Sequence, residues 1–173
     1  MRALVVYESM FGNTQTIAEA VAEGLSEQLH VVLVEVDEAP EQLDGDIELV
    51  VVGGPTHVFG MSRPATREDA GRVAAGGLVS RGTGVREWLA GLRGGGPGVR
   101  AAAFDTHVDK RLPGSASQAA AKRLRRMGFL LVARPESFYV ADKAGPLLDG
   151  EEERARRWGA SLAAQTEPGH SVG

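Results

Sequence analysis

Residues 4 to 14 read Leu4-Val5-Val6-Tyr7-Glu8-Ser9-Met10-Phe11-Gly12-Asn13-Thr14. An apolar run stops at a short turn of small and polar residues, and a helical pattern opens directly after it. A buried strand that ends this way aims backbone N–H groups, small hydroxyls and the positive end of the next helix at one point. That is a cradle for an anionic group. With no G-x-G-x-x-G and no G-x-x-x-x-G-K followed by Ser or Thr, it is neither of the two commonest nucleotide loops. Ser9, Asn13 and Thr14 can donate to a single phosphate while Gly12 lets the backbone approach closely, which suits a phosphate monoester.

Working outward, four apolar, β-branched runs at 3–7, 31–36, 47–52 and 99–104 read as strands buried on both faces. A fifth at 129–132 resumes after Arg134-Pro135 at 137–140, and the proline predicts an interrupted outer strand. Between the first two runs, Ile17, Val21, Leu25 and Leu29 keep helical spacing. Ser115-Ala116-Ser117-Gln118 has capping-box spacing, with Ala120, Leu124 and Met127 inward and Gly128 as the stop. Asp149 is expected to cap a final helix that carries Ala155, Trp158 and Leu162 inward. Strands alternating with helices imply right-handed βαβ units and a parallel sheet. The domain is expected to span 1–164, with a loose tail at 165–173.

Composition narrows the chemistry. A chain of 173 residues is long enough for one domain with a real core, and its net charge of -4 gives no reason to expect nucleic acid or an anionic membrane as partner. With no cysteine there is no disulfide, thiol catalysis or Cys-ligated metal, so redox chemistry would have to come from a bound organic cofactor. Met1-Arg2 leads straight into a strand, without a leader or a span-length apolar run, which predicts a cytoplasmic protein. No catalytic residue is assigned and no metal site is expected.

Two further loops belong with the first. In an open parallel sheet, ligands bind beyond the carboxyl ends of the strands where strand order reverses. The loops that reach that point are 9–14, 53–60 and 105–114. Gly53-Gly54-Pro55-Thr56-His57-Val58-Phe59-Gly60 is expected to let a flat ring approach the backbone at Gly53 and Gly54. Phe104-Asp105-Thr106-His107-Val108-Asp109 supplies the third wall.

On these three loops the chain resembles the flavodoxin-like family. The family's phosphate loop reads Ser/Thr-x-Ser/Thr-Gly-x-Thr, and here it is Ser9-Met10-Phe11-Gly12-Asn13-Thr14, with Phe11 as the departure. The second loop resembles the family's G-x-P-T-x-x-x-G isoalloxazine loop, and His107 stands where flavodoxins place a second stacking tyrosine. The resemblance implies a three-layer α/β/α sandwich around a five-stranded parallel sheet of order 2-1-3-4-5. It also implies FMN as cofactor, held by Ser9, Met10, Phe11, Gly12, Asn13 and Thr14 at the phosphate and flanked at the ring by Pro55, Thr56, His57, Val58, Phe59, Gly60, Asp105, Thr106 and His107. A carboxylate of Asp105 or Asp109 near the ring would disfavour an anionic reduced flavin.

The segment 62–98 is the least typical: rich in glycine, with six arginines (Arg63, Arg67, Arg72, Arg81, Arg86, Arg93) against Glu68, Asp69 and Glu87. Short helices are expected at 65–75 and 85–92, the second anchored by Trp88 and Leu89. A mobile arginine-bearing lid would suit an FMN-dependent oxidoreductase acting on NAD(P)H or a quinone; a packed segment would leave electron transfer at the flavin edge to a redox partner protein. A binding or regulatory module that has lost flavin is the third reading, a serine hydrolase is disfavoured by the lack of G-x-S-x-G, and association with a second copy of the chain is a further expectation.

Overall fold

The computed structural model describes residues 1–57, 60–73, 77–80, 82–95, 97–108 and 114–166. Val58 and Phe59, Arg81, Asp109 and the tail from 167 lie outside the described residues. Strands β1 (Arg2–Tyr7), β2 (His30–Glu35), β3 (Ile47–Pro55), β4 (Arg100–Val108), β5 (Leu130–Leu131) and β6 (Glu136–Val140) form one parallel sheet. Its order is β2-β1-β3-β4, with β5 and β6 both pairing to β4. The interrupted outer strand is therefore two short strands on one edge, on either side of the stretch that holds Pro135.

Helices α1 (Asn13–Leu25) and α5 (Glu151–Thr166) cover one face, and α3 (Val85–Gly91) and α4 (Ala116–Arg126) the other, while α2 (Pro64–Val73) lies in the connection after β3. The alternation of side chains along each strand divides the core. Ala3, Val5, Leu49, Val51, Ala102 and Phe104 pack with Ile17, Val21, Leu25 and Leu162; Leu4, Val6, Val50, Val52, Ala101 and Ala103 pack with Trp88, Leu89 and Leu124. At about 25 cal/mol per Å² of apolar surface removed from water, these two layers are the main source of stability.

Helices α1 and α5 approach unusually closely. A Cβ on Gly24 would fall 2.0 Å from the Arg156 carbonyl oxygen, and one on Gly159 would fall 2.2 Å from that of Val21. Phe104, Phe138 and Trp158 close the same layer edge to face, with centroids 5.9–6.1 Å apart. On α4, the Ser115 hydroxyl accepts from Gln118 N (3.2 Å), Leu124 is buried, and Gly128 adopts φ 96°, matching its expected cap and stop. Arg123, Arg125 and Arg126 occupy its last turn, where the helix dipole favours cations.

Four boundaries differ from expectation. Gly53, Gly54 and Pro55 continue β3, and Asp105 through Val108 continue β4, because Gly54 pairs with Asp105 and Pro55 with Thr106. A ladder shared with a neighbouring strand outweighs the weak intrinsic β preference of Gly, Pro and Asp. The last helix begins at Glu151 and accepts Arg154 N on the Gly150 carbonyl (2.9 Å), so Gly150 rather than Asp149 occupies the cap position. That helix also runs through Gln165 to Thr166, whose buried hydroxyl donates to the Leu162 carbonyl (2.7 Å).

Candidate functional site

At the carboxyl end of the sheet, between β1 and β3, a cavity of about 280 Å³ opens. Its wall takes Met10, Phe11, Asn13 and Thr14 from the first loop, Pro55, Thr56 and His57 from the second, and Thr106 and Val108 from β4. The three separated segments singled out in the sequence thus meet at one place. Thr66, Asp69 and Ala70 of α2 add a further wall, with Val140 and Lys143 beyond β6. Sequence reasoning missed these five. Thr66 and Ala70 share a face of a helix that periodicity did locate, whereas nothing local marks Lys143.

The first loop is braced from within. Ser9 is fully buried, and its Oγ accepts the N–H groups of Gly12 (3.1 Å) and Gln15 (3.2 Å). Its own N–H donates to Ser80 Oγ (2.9 Å), Ser80 N donates back to the Ser9 carbonyl (2.7 Å), and the Ser80 hydroxyl donates to Glu35 (2.7 Å). Ser9 therefore shapes the turn from behind instead of lining the cavity. Gly12 sits at φ 93° with open space where a side chain would be, and the first-turn N–H groups of Asn13 and Thr14 have no acceptor within the helix. The buried Thr14 hydroxyl is hydrogen-bonded to that of Thr106 (2.7 Å), tying the first loop to β4.

The glycines of the second loop have a different task from the one expected. A Cβ on Gly53 would fall 1.9 Å from Phe104 Cζ, and one on Gly54 would meet Val85 and Glu8, so both face packed protein and not the cavity. Beyond them, His57 and Gly60 exchange backbone hydrogen bonds (2.8 and 3.0 Å), and Gly60 is absent from the cavity wall. His57 Nδ1 lies 3.0 Å from Thr66 Oγ1. Burial, and then the nearby charges of Arg67 and Lys143, lower its pKa to about 4, so the ring is neutral at pH 7.

Asp105 and His107 do not line the cavity. Strand alternation turns Asp105 to the α4 face, where it is fully buried and Oδ2 accepts Ser117 N (2.9 Å). His107 stacks on Tyr139 at 6.5 Å instead. Of this loop, Thr106 and Val108 reach the cavity, and the Thr106 carbonyl accepts Thr56 N (3.0 Å).

The arginine-rich segment is pinned to this site. Glu8, 1% exposed at the end of the first apolar run, accepts from the Ser62 hydroxyl and from Val85 N (2.7 Å). Burial raises its pKa, against the lowering effect of those hydrogen bonds and of Arg67. Arg67 is paired with Glu87 and donates to Ser62 Oγ (2.9 Å); Arg86 donates to the Met61 and Ser62 carbonyls; Arg72 pairs with Glu68 and Asp69. Asp37 accepts Thr83 N (2.6 Å) and the Trp88 indole N–H donates to the Pro40 carbonyl (3.0 Å). Arg67 and Arg86 are thereby committed to internal partners, while the pairs of Arg72 lie at the surface of its own helix. A charged residue closing an otherwise apolar run was the sequence signal for Glu8.

A doubly wound parallel sheet with a glycine-containing turn after β1 and a cavity at its switch point defines an open α/β fold, in which that point is where ligands bind as a rule. The fold is, more specifically, the flavodoxin-like one. The sequence model of the flavodoxin family matches residues 5–72. Among solved structures, a flavodoxin from the domain Archaea superposes with TM-score 0.67 at 22% identity, covering 96% of this chain and 99% of that one. Flavodoxin 1 from Bacillus cereus gives TM-score 0.65 at 15% identity, with 95% and 98% covered. The rubredoxin oxygen:oxidoreductase of Desulfovibrio gigas gives 0.59 at 19%, with 94% of this chain matching 35% of that longer one. No curated protein sequence matches the chain. Among the described residues no helix is long and apolar enough to cross a membrane.

Proposed function

We propose that the protein binds FMN in the 280 Å³ cavity and transfers electrons through it to a redox partner protein. The observation that carries this reading is the convergence of three distant segments, 10–14, 55–57 and 106–108, on one cavity at the switch point. The residues present fit the cofactor. An αL glycine and two uncommitted first-turn N–H groups offer an anion seat, and Met10, Phe11, Pro55, Ala70, Val108 and Val140 offer an apolar slot beside it.

Bound FMN would supply reversible one- and two-electron chemistry. The chain's own part is binding and electrostatics. Gly12, Asn13 and Thr14 would hold the phosphate, with Ser9 keeping the turn in shape from behind. Pro55, Thr56 and His57 would flank the ring, with Phe11 at the rim; Thr106 anchors Thr14 and the backbone of Thr56. Neutral His57, fixed by Thr66, can exchange a hydrogen bond without adding charge. Asp105 acts through the α4 N-terminus and not as a charge beside the ring.

In the segment 62–98, Arg67 and Arg86 are committed to Glu87, Ser62 and Met61, which favours a carrier over a reductase for NAD(P)H or quinone, since neither is free to clamp a nucleotide phosphate. The visible spectrum of the purified protein with added FMN, followed by stopped-flow mixing with NADPH, tests both parts. A bound-flavin spectrum that NADPH does not bleach fits the proposal. Rapid bleaching would make the protein a reductase, and no bound flavin would refute the reading altogether.

A further inference from the structure

A phosphate seat built only from backbone N–H groups and neutral side chains lacks a cation, and the first loop contains none. The cavity wall supplies one from elsewhere. Its described charged side chains are Asp69 and Lys143. Asp69 is compensated by Arg72, 3.3 Å away. Lys143 makes no ion pair among the described residues, and the adjacent Asp142 Oδ1 accepts the backbone N–H of Lys143 (2.8 Å).

The loop that bears Lys143 is seated at the N-terminus of α1. Gly145, two residues on, holds φ 102°, and a Cβ there would fall 2.8 Å from both polar atoms of the Asn13 carboxamide. The turn is further closed by Gly145 N donating to the Asp142 carbonyl (2.8 Å) and Ala141 N to that of Pro146 (2.9 Å). So the backbone around Lys143 rests on the same residue that opens the helix, and its side chain lines the cavity together with Asn13 and Thr14.

We infer that Lys143 is the phosphate-reading cation of this site, selecting a phosphorylated flavin over the unphosphorylated one. A lysine on a four-carbon stem acts as a point charge on a phosphate dianion and needs no fixed fork geometry. The role rests on the FMN reading and adds to it a specificity determinant outside the three loops that carry the family resemblance.

Fluorescence-quenching titrations of FMN and of riboflavin into wild type, Lys143→Ala and Lys143→Arg test it. The Lys143 side chain is exposed, so its replacement leaves the core intact, and far-UV circular dichroism checks the fold of each variant. Lys143→Ala should weaken FMN roughly tenfold at low salt, leave riboflavin unchanged and flatten the salt dependence of FMN binding, while Lys143→Arg restores most of the affinity. Equal losses for the two flavins would place Lys143 at the ring and overturn the inference, as would unchanged FMN affinity. Binding of neither flavin by the wild type would overturn the FMN reading itself.

Discussion

Replacing Ser9 by alanine removes one oxygen from a fully buried position and with it the acceptor for two N–H groups, those of Gly12 and Gln15. The backbone bonds between Ser9 and Ser80 survive, so the turn stays attached at one end. An N–H left without a buried acceptor costs about 1–3 kcal/mol, but Gly12 and Gln15 are half-buried and water can take up part of the loss. The expected destabilisation is therefore about 1–2 kcal/mol, a fall in Tm of roughly 2–8 °C for a chain of this size. Urea denaturation of the flavin-free protein measures it as a lower midpoint at unchanged slope. FMN affinity should fall only a few-fold, since the freed N–H groups remain able to meet a phosphate. An unchanged midpoint together with a loss of FMN affinity of tenfold or more would refute the bracing role and make Ser9 a direct phosphate ligand.

The pH dependence separates a half-buried and a buried group of opposite sign. His57 is harder to protonate folded than unfolded, so stability should fall as pH drops from about 6.5 toward about 4, by at most about 3 kcal/mol before solvent screening, and His57→Gln should flatten that part of a urea-midpoint profile. Glu8 has a raised folded pKa, so its contribution is full below the ordinary carboxylate range and is lost as pH rises through the raised value; Glu8→Gln should remove that slope. Glu8→Ala, which strands Val85 N and Ser62, should cost about 2–4 kcal/mol by the same assay. Gly53→Ala should cost about 3 kcal/mol or more, because its Cβ would fall 1.9 Å from Phe104 Cζ, whereas Gly60→Ala, with Arg86 Nη2 3.9 Å away, should leave the thermal midpoint unchanged.

The strands and helices were legible because they depend on local patterns, namely apolar runs, helical spacing between them and a capped α4, whereas the strand order came with the family resemblance. The site was legible only in part. Residues 10–14, 55–57 and 106 were placed together because strand order brings known loop positions to one end. Ser9 reads from sequence as a ligand or a brace alike, because a small hydroxyl in a glycine-containing turn can serve as either; in the structure its Oγ accepts Gly12 N and Gln15 N. Gly53 and Gly54 looked like room for a ring, yet the space they leave is filled by Phe104 and bordered by Val85. Asp105 and His107 lie away from the cavity wall because β4 extends to Val108, which fixes the faces to which they point and which the sequence did not reveal. Lys143 and the α2 wall reach the cavity through contacts more than fifty residues apart in sequence from the phosphate turn, beyond any local signal.

The central claim is that FMN occupies the cavity where these segments meet. A titration of FMN into wild type and into Ala70→Trp, whose indole would project from α2 into that cavity, tests it most directly. The account predicts saturable quenching at one FMN per wild-type chain and at least a tenfold weaker response in the folded variant. Equal quenching by the two proteins would contradict it.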